Sequence, residues 1–106
     1  MELRKLEEVL LRYLTISDGA IQTKQYVERI GDLKIHIWPG DHDPPHFHVY
    51  STQRKIDATF HLYTYEVRTD KTNKITRRDE KRIQEFFKMP DMQKKLEEIY
   101  IKMQQK

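Results

Sequence analysis

Leu33-Lys34-Ile35-His36-Ile37-Trp38, followed after a polar break by His46-Phe47-His48-Val49-Tyr50 and then by Lys55-Ile56-Asp57-Ala58-Thr59-Phe60-His61-Leu62, decides the fold of this chain. In each run apolar and polar side chains alternate, the signature of a strand with one face buried. Leu33, Ile35 and Ile37 fall on one side and Lys34, His36 and Trp38 on the other. Phe47 and Val49 oppose His46, His48 and Tyr50. Ile56, Ala58, Phe60 and Leu62 oppose Lys55, Asp57, Thr59 and His61. Three consecutive runs with short connections predict an antiparallel meander.

Outward from that sheet the periodicity changes. Leu3, Leu6, Val9, Leu10, Tyr13 and Leu14 recur at steps of three and four, so Met1 to about Leu14 reads as an amphipathic helix covering a sheet face. Ser17-Asp18-Gly19 supplies stop signals. Ile21 to Ile30 alternates as an extended segment, and Gly31-Asp32 is a turn signal. Tyr63 to Arg68 reads as an extension of the third strand or as a fourth, ending in a polar loop from Thr69 to Asn73. Thr76 with Asp79 and Glu80 has the pattern of a helix N-cap with acids in the first turn, and Ile83, Phe86 and Phe87 give that helix an apolar side. Pro90-Asp91 opens a last helix carried by Met92, Leu96, Ile99, Tyr100 and Met103. The fold class is therefore α+β: an N-terminal helix, a three- or four-stranded antiparallel meander and a C-terminal helical hairpin. As boundaries we expect a single domain, 1–106, with a helical extension at 1–20, the sheet at 21–68 and the helical hairpin at 76–105.

The length of 106 residues and an apolar share of 37% provide for one modest core. There is no cysteine, which excludes disulfides, thiolate zinc sites and thiol catalysis. No run approaches the roughly 18 apolar residues of a membrane span. Glu2, Glu7 and Glu8 do not fit a signal peptide. A cytoplasmic protein without a membrane partner is expected. A net charge of +3 is too small to identify a ligand class, but its distribution is uneven. Arg68, Lys71, Lys74, Arg77, Arg78, Lys81 and Arg82 crowd one connection and the helix after it. Arg77, Arg78, Lys81 and Arg82 are the candidate nucleic-acid-binding residues, the competing reading being a solvated helix end.

The chemistry-bearing segment is Asp41-His42-Asp43-Pro44-Pro45-His46-Phe47-His48, in which paired prolines stiffen an extended backbone. Hairpin arithmetic pairs Trp38 with His46 and His36 with His48. If Tyr50 pairs with Lys55, His48 also neighbours Asp57, and His36, His48 and Asp57 form one row across three strands. Imidazoles with a carboxylate supply the donors for a divalent metal, so His36, His48 and Asp57 are the candidate ligands. The same groups suit acid–base chemistry, with His48 as the titrating imidazole, Asp57 as its orienting carboxylate and Lys55 stabilising charge during phosphodiester hydrolysis. A structural role, with cross-strand hydrogen bonds or a helix packed over this face, is the third reading. His42 reads as a solvated turn residue and His61 as a hydrogen-bonded filler.

Asp43-Pro44-Pro45-His46-Phe47-His48-Val49, preceded by Lys34 to Trp38 and followed by Lys55-Ile56-Asp57-Ala58, resembles the signature of a small bacterial family, domain of unknown function forty-one sixty. The likeness spans about Ile30 to Met103. It implies a short intracellular protein, commonly encoded beside another small domain in an arrangement from which a toxin–antitoxin role has been suggested. A small protein partner is the corresponding expectation, tested by co-expression and size-exclusion chromatography. Pro44, Pro45, His46 and His48 match the family hallmark, which brings no catalytic assignment. The chain departs from the pattern by its helix from Met1 to Leu14, and by Ile99 and Tyr100 where a tryptophan is often seen. Two functional expectations follow: an interaction or nucleic-acid-binding component of a toxin–antitoxin-like pair, and a His-dependent or metal-dependent hydrolase or nuclease.

Overall fold

The computed structural model describes residues 3–17, 32–38, 44–69 and 72–105. The extended segment expected at Ile21–Ile30, the Gly31 turn position and His42 lie outside the described residues. The elements run α1 (Leu3–Ser17), β1 (Lys34–His36), β2 (His46–Ser51), β3 (Ile56–His61), α2 (Arg77–Lys88) and α3 (Pro90–Gln104). The three strands form an antiparallel sheet in the order β1-β2-β3, as the alternation predicts.

Pleat parity sends Ile35, Phe47, Val49, Ile56, Ala58 and Phe60 to one face, where all are buried together with Leu6, Leu10 and Leu14 of α1, Ile83, Phe86 and Phe87 of α2, and Leu96 of α3. Aromatic contacts tie the layers. Phe47 stacks on Phe60 at 5.4 Å and meets Phe87 edge-on at 5.1 Å, while Tyr13 packs on Phe86 at 5.3 Å. α1 continues to Ser17, past the expected end at Leu14, and leaves Val9 exposed. Among the described residues, the three helices thus lie on the apolar face, and none of them covers the imidazole side of the sheet.

Local chemistry explains the helix ends. The Asp79 amide donates to the Thr76 hydroxyl at 3.1 Å, the N-cap bond expected from sequence. The Asp79 carboxylate is turned inward to Arg54, 2.9 Å away, with both side chains under a tenth exposed. That pair joins the β2–β3 turn to the start of α2. Met89 is extended and Pro90 opens α3, so the two helices fold back on each other without a longer loop. On the β1 side, the Ile35 amide donates to Glu7 Oε2 at 2.6 Å, so a carboxylate from α1 satisfies a strand donor that would otherwise face outward.

Two turns carry non-glycine residues at positive φ. Lys55, at φ 58°, closes the β2–β3 turn, and Tyr65, at φ 62°, reverses the chain after β3. The first turn is held from outside by Asp32, whose carboxylate accepts from Ser51 Oγ and the Thr52 amide, each at 2.8 Å, and from the Gln53 amide at 3.2 Å. Burial works against ionisation of Asp32, but the hydrogen bonds from Ser51, Gln53 and Thr52 outweigh it and hold the carboxyl below its ordinary range. After the second turn, residues 63–68 form no regular fourth strand. The chain instead runs back along β3 through single bridges, Phe60 with Val67 and Asp57 with Lys74. Between those bridges Asn73 substitutes for backbone: its Oδ1 accepts the Thr59 amide at 2.8 Å and its Nδ2 donates to the Arg68 carbonyl at 2.7 Å.

Candidate functional site

The polar face of the sheet is organised in rows set by strand register. β1 and β2 pair Lys34 with Tyr50, Ile35 with Val49 and His36 with His48, as hairpin arithmetic predicts. β2 and β3 differ from expectation by two residues: His48 pairs with Thr59, Tyr50 with Asp57 and Ser51 with Ile56. The cause is the turn. It occupies residues 52–55, with Lys55 at its positive-φ position, and the Lys55 amide donates to the Thr52 carbonyl at 3.2 Å. The expectation that Tyr50 pairs with Lys55 made the turn begin too early.

A shift of two preserves parity and changes partners. Asp57 shares the face of His48 but stands diagonally to it, a relation that separates such residues by about 7–8 Å, with the Cβ atoms somewhat closer. The expected row of His36, His48 and Asp57 is replaced by His36–His48–Thr59, with the Thr59 hydroxyl 3.2 Å from His48 Nδ1. His48 and Asp57 are thus diagonal neighbours and not the directly paired couple that the expected register gave for acid–base work. Among the described residues no group of three or more His, Asp or Glu is arranged to hold a metal ion. What is corrected is the register that set His36, His48 and Asp57 in one row. Asp57 belongs to a different row, Lys34–Tyr50–Asp57–Lys74, which crosses β1, β2, β3 and the returning chain.

The third row holds His46, paired with His61. His46 Nδ1 lies 2.7 Å from the Pro44 carbonyl and 3.3 Å from Arg68 NH1. A carbonyl only accepts and a guanidinium only donates, so the first contact requires a proton on Nδ1 and the second a lone pair there. The two cannot be hydrogen bonds at once. The shorter contact favours Nδ1–H donating to Pro44, an arrangement that leaves the acceptor lone pair on Nε2. Pro44 thus acts through its backbone carbonyl.

Aromatic rings stand at both ends of the imidazole rows. Trp38 is 55% exposed and its indole lies parallel to the His36 ring, 5.5 Å between centroids and 2° between planes. His46 and His48 meet edge to face at 5.1 Å. Tyr50 is 44% exposed. Gln104 of α3 donates to the Trp38 carbonyl at 3.2 Å, fastening the backbone beneath the exposed ring. The basic helix contributes Arg77, Arg78 and Lys81 as exposed side chains, with Arg82 half-buried.

Sequence reasoning missed Arg68 and Asn73 as parts of this face. Arg68 is 8% exposed and reaches His46 from a segment without strand periodicity. The only signal for Asn73 is its residue type, an amide able to donate and accept together beside a loop.

Over residues 33–100 the chain matches the family model described as Domain of unknown function (DUF4160), and it belongs to that family. The match begins at β1 and leaves α1 outside, in keeping with the reading of the first helix as an addition. No curated protein and no solved structure matches the chain significantly.

Proposed function

We propose that this DUF4160 member is a nucleic-acid-binding component whose ligand, a single strand, lies across the imidazole face of the sheet. The observation that carries the reading is the exposed indole of Trp38 stacked on His36. An exposed indole with one face set against a parallel imidazole can offer its other face to a base, and base–aromatic stacking contributes about 1–3 kcal/mol per base. Tyr50 supplies another exposed ring on the same face, in the manner of sheets that stack two or three unpaired bases. Phosphates find Lys34 and Lys74 at the ends of one row, and three residues beyond Lys74 the chain continues into Arg77, Arg78 and Lys81.

The test is direct because Trp38 is the sole tryptophan. Titration with single-stranded oligonucleotides quenches its fluorescence to saturation, and affinity falls as salt is added. By the anisotropy of a labelled oligonucleotide, Trp38→Ala weakens binding roughly five- to 150-fold, the equivalent of that stacking energy. No quenching and no anisotropy change at low salt overturn the reading.

One observation favours a second reading, phosphodiester hydrolysis. His46, set between the Pro44 carbonyl and Arg68, places an imidazole beside a cation suited to phosphate. Cleavage of RNA that persists in a chelator and disappears in His46→Ala supports it; intact RNA after prolonged incubation eliminates it.

A further inference from the structure

The row Lys34–Tyr50–Asp57–Lys74 opens at one end into a cleft of about 420 Å³, lined by Tyr50, Thr52, Lys55, Asp57 and Lys74 among others. Its walls are fixed by backbone. The Asp57 amide donates to the Lys74 carbonyl at 2.7 Å and the Lys74 amide to the Asp57 carbonyl at 2.8 Å, so the two side chains are direct cross-strand neighbours on one face. The Tyr50 hydroxyl shares a 2.8 Å hydrogen bond with Thr52 Oγ1, which fixes the phenol ring at the rim.

Three charged side chains thus meet at the cleft, and all three are exposed. Among the described residues, none of Lys55, Asp57 and Lys74 forms an ion pair within 4 Å. A carboxylate set between two cations without closing on either leaves acceptor and donors available together. Lys55 adds a second observation. It occupies a left-handed backbone position, φ 58°, that glycine adopts with less strain, and strain kept by a functional side chain is a pointer to a site.

The ligand that fits carries anionic oxygens for the lysines, hydroxyl donors for the carboxylate and an aromatic plane for Tyr50. We infer that this cleft holds a ribonucleotide unit of the bound strand, with Asp57 accepting from the ribose 2′-hydroxyl and Lys55 and Lys74 contacting flanking phosphates, so that the protein selects RNA over DNA. The inference rests on the nucleic-acid reading above and names its substrate class. An internal deoxynucleotide has no 2′-hydroxyl to offer, and Asp57 then only repels the phosphates. A hydrogen bond to a charged group corresponds to a preference of roughly ten- to a hundredfold.

The experiment compares labelled single-stranded RNA with its 2′-deoxy counterpart of identical bases, uracil included, by anisotropy on the full chain. RNA binds at least about tenfold more tightly than the deoxy strand. Asp57→Ala brings the ratio toward one, by strengthening deoxy-strand binding as well as weakening RNA binding. Lys55→Gly relieves the backbone and leaves the melting temperature unchanged or raised, yet lowers the salt slope for both strands by roughly 0.7, the share of one phosphate contact. Equal affinity for the two strands, or a ratio unmoved by Asp57→Ala, overturns the ribose assignment while nucleic-acid binding stands. An unchanged salt slope in Lys55→Gly overturns the phosphate contact. Failure of both strands to bind overturns the functional reading itself.

Discussion

Replacing Asn73 by alanine tests the account of how the returning chain is attached to β3, and with it the placement of Arg68 beside His46. In the folded protein the Asn73 amide closes a gap in the ladder, accepting from the Thr59 amide at 2.8 Å and donating to the Arg68 carbonyl at 2.7 Å. Thr59 is 7% and Arg68 8% exposed, so water reaches neither backbone group readily. A buried polar group left unpaired costs about 1–3 kcal/mol, and two give about 2–6. Local relaxation and entry of a water molecule reduce the total, and we expect a loss of about 3 kcal/mol. For a chain of this length, at roughly 4–5 °C per kcal/mol, the melting temperature falls by roughly 12–15 °C. Asn73→Asp separates the two bonds. It keeps the acceptor for Thr59 but sets an anion against the Arg68 carbonyl, so it too destabilises, while amide exchange at Thr59 stays slower than in the alanine variant. A fall of less than about 4 °C in Asn73→Ala, or exchange at Thr59 unchanged by it, refutes the bridging role.

Two further expectations concern titrating groups. Asp32 is ionised in the folded protein at lower pH than in the unfolded chain, so its contribution is complete above the ordinary carboxylate range and declines as pH falls through the depressed folded value. Asp32→Asn therefore flattens the acid limb of stability measured by urea unfolding; an acid limb identical to wild type rejects that role. Tyr65, buried against Phe87, has its hydroxyl pushed up to about 12, chiefly by burial and also by the Glu97 carboxylate, with Gln93 opposing. The neutral form is the one the fold accommodates, so stability declines as pH rises from about 10 toward that value. Ultraviolet titration shows a late tyrosine phase that Tyr65→Phe removes. Because the hydroxyl lies near Gln93 without a hydrogen bond of normal geometry, the same variant is neutral or slightly stabilising. A loss above about 1 kcal/mol contradicts this.

The strands, both C-terminal helices and the first helix were legible because each has a strict apolar period and a core to satisfy. Phe47, Val49, Ala58 and Phe60 have no stable place except inward. The Thr76 cap and the Pro90 start were legible for the same reason, since each depends on neighbours in sequence. The returning segment was not. Val67 and Lys74 bridge to β3 one residue at a time, and between them the Arg68 amide donates to the Thr59 carbonyl at 2.8 Å while the Asn73 side chain imitates a peptide group. Nor did any residue between Ser51 and Lys55 announce the turn. A left-handed position ordinarily betrays itself through glycine or asparagine, and here it is a lysine, held in place by Asp32 from a distant part of the chain.

That hidden lysine decides the chemistry of the face. Alternation determines which side chains look outward, and the outward set of His36, His48, Thr59 and Asp57 is the same for any even shift of register. Coordination and proton transfer depend instead on which outward residues are adjacent, and adjacency changes completely with a shift of two. With Tyr50 opposite Lys55, the imidazole row would contain a carboxylate and read as a metal or acid–base centre. With Ser51 opposite Ile56, that carboxylate moves to the row of Tyr50 and Lys74, and a threonine takes its place beside His48. His48 is left beside a threonine hydroxyl and His36 beside an indole, with Arg68 at His46, while the carboxylate stands among cations. Separating the two sets turns a compact ligand cluster into an extended surface, broad enough at about 4.8 Å per strand to face a chain-like ligand over roughly 14 Å. A strand of stacked bases with regularly spaced charges matches that surface better than a single ion does.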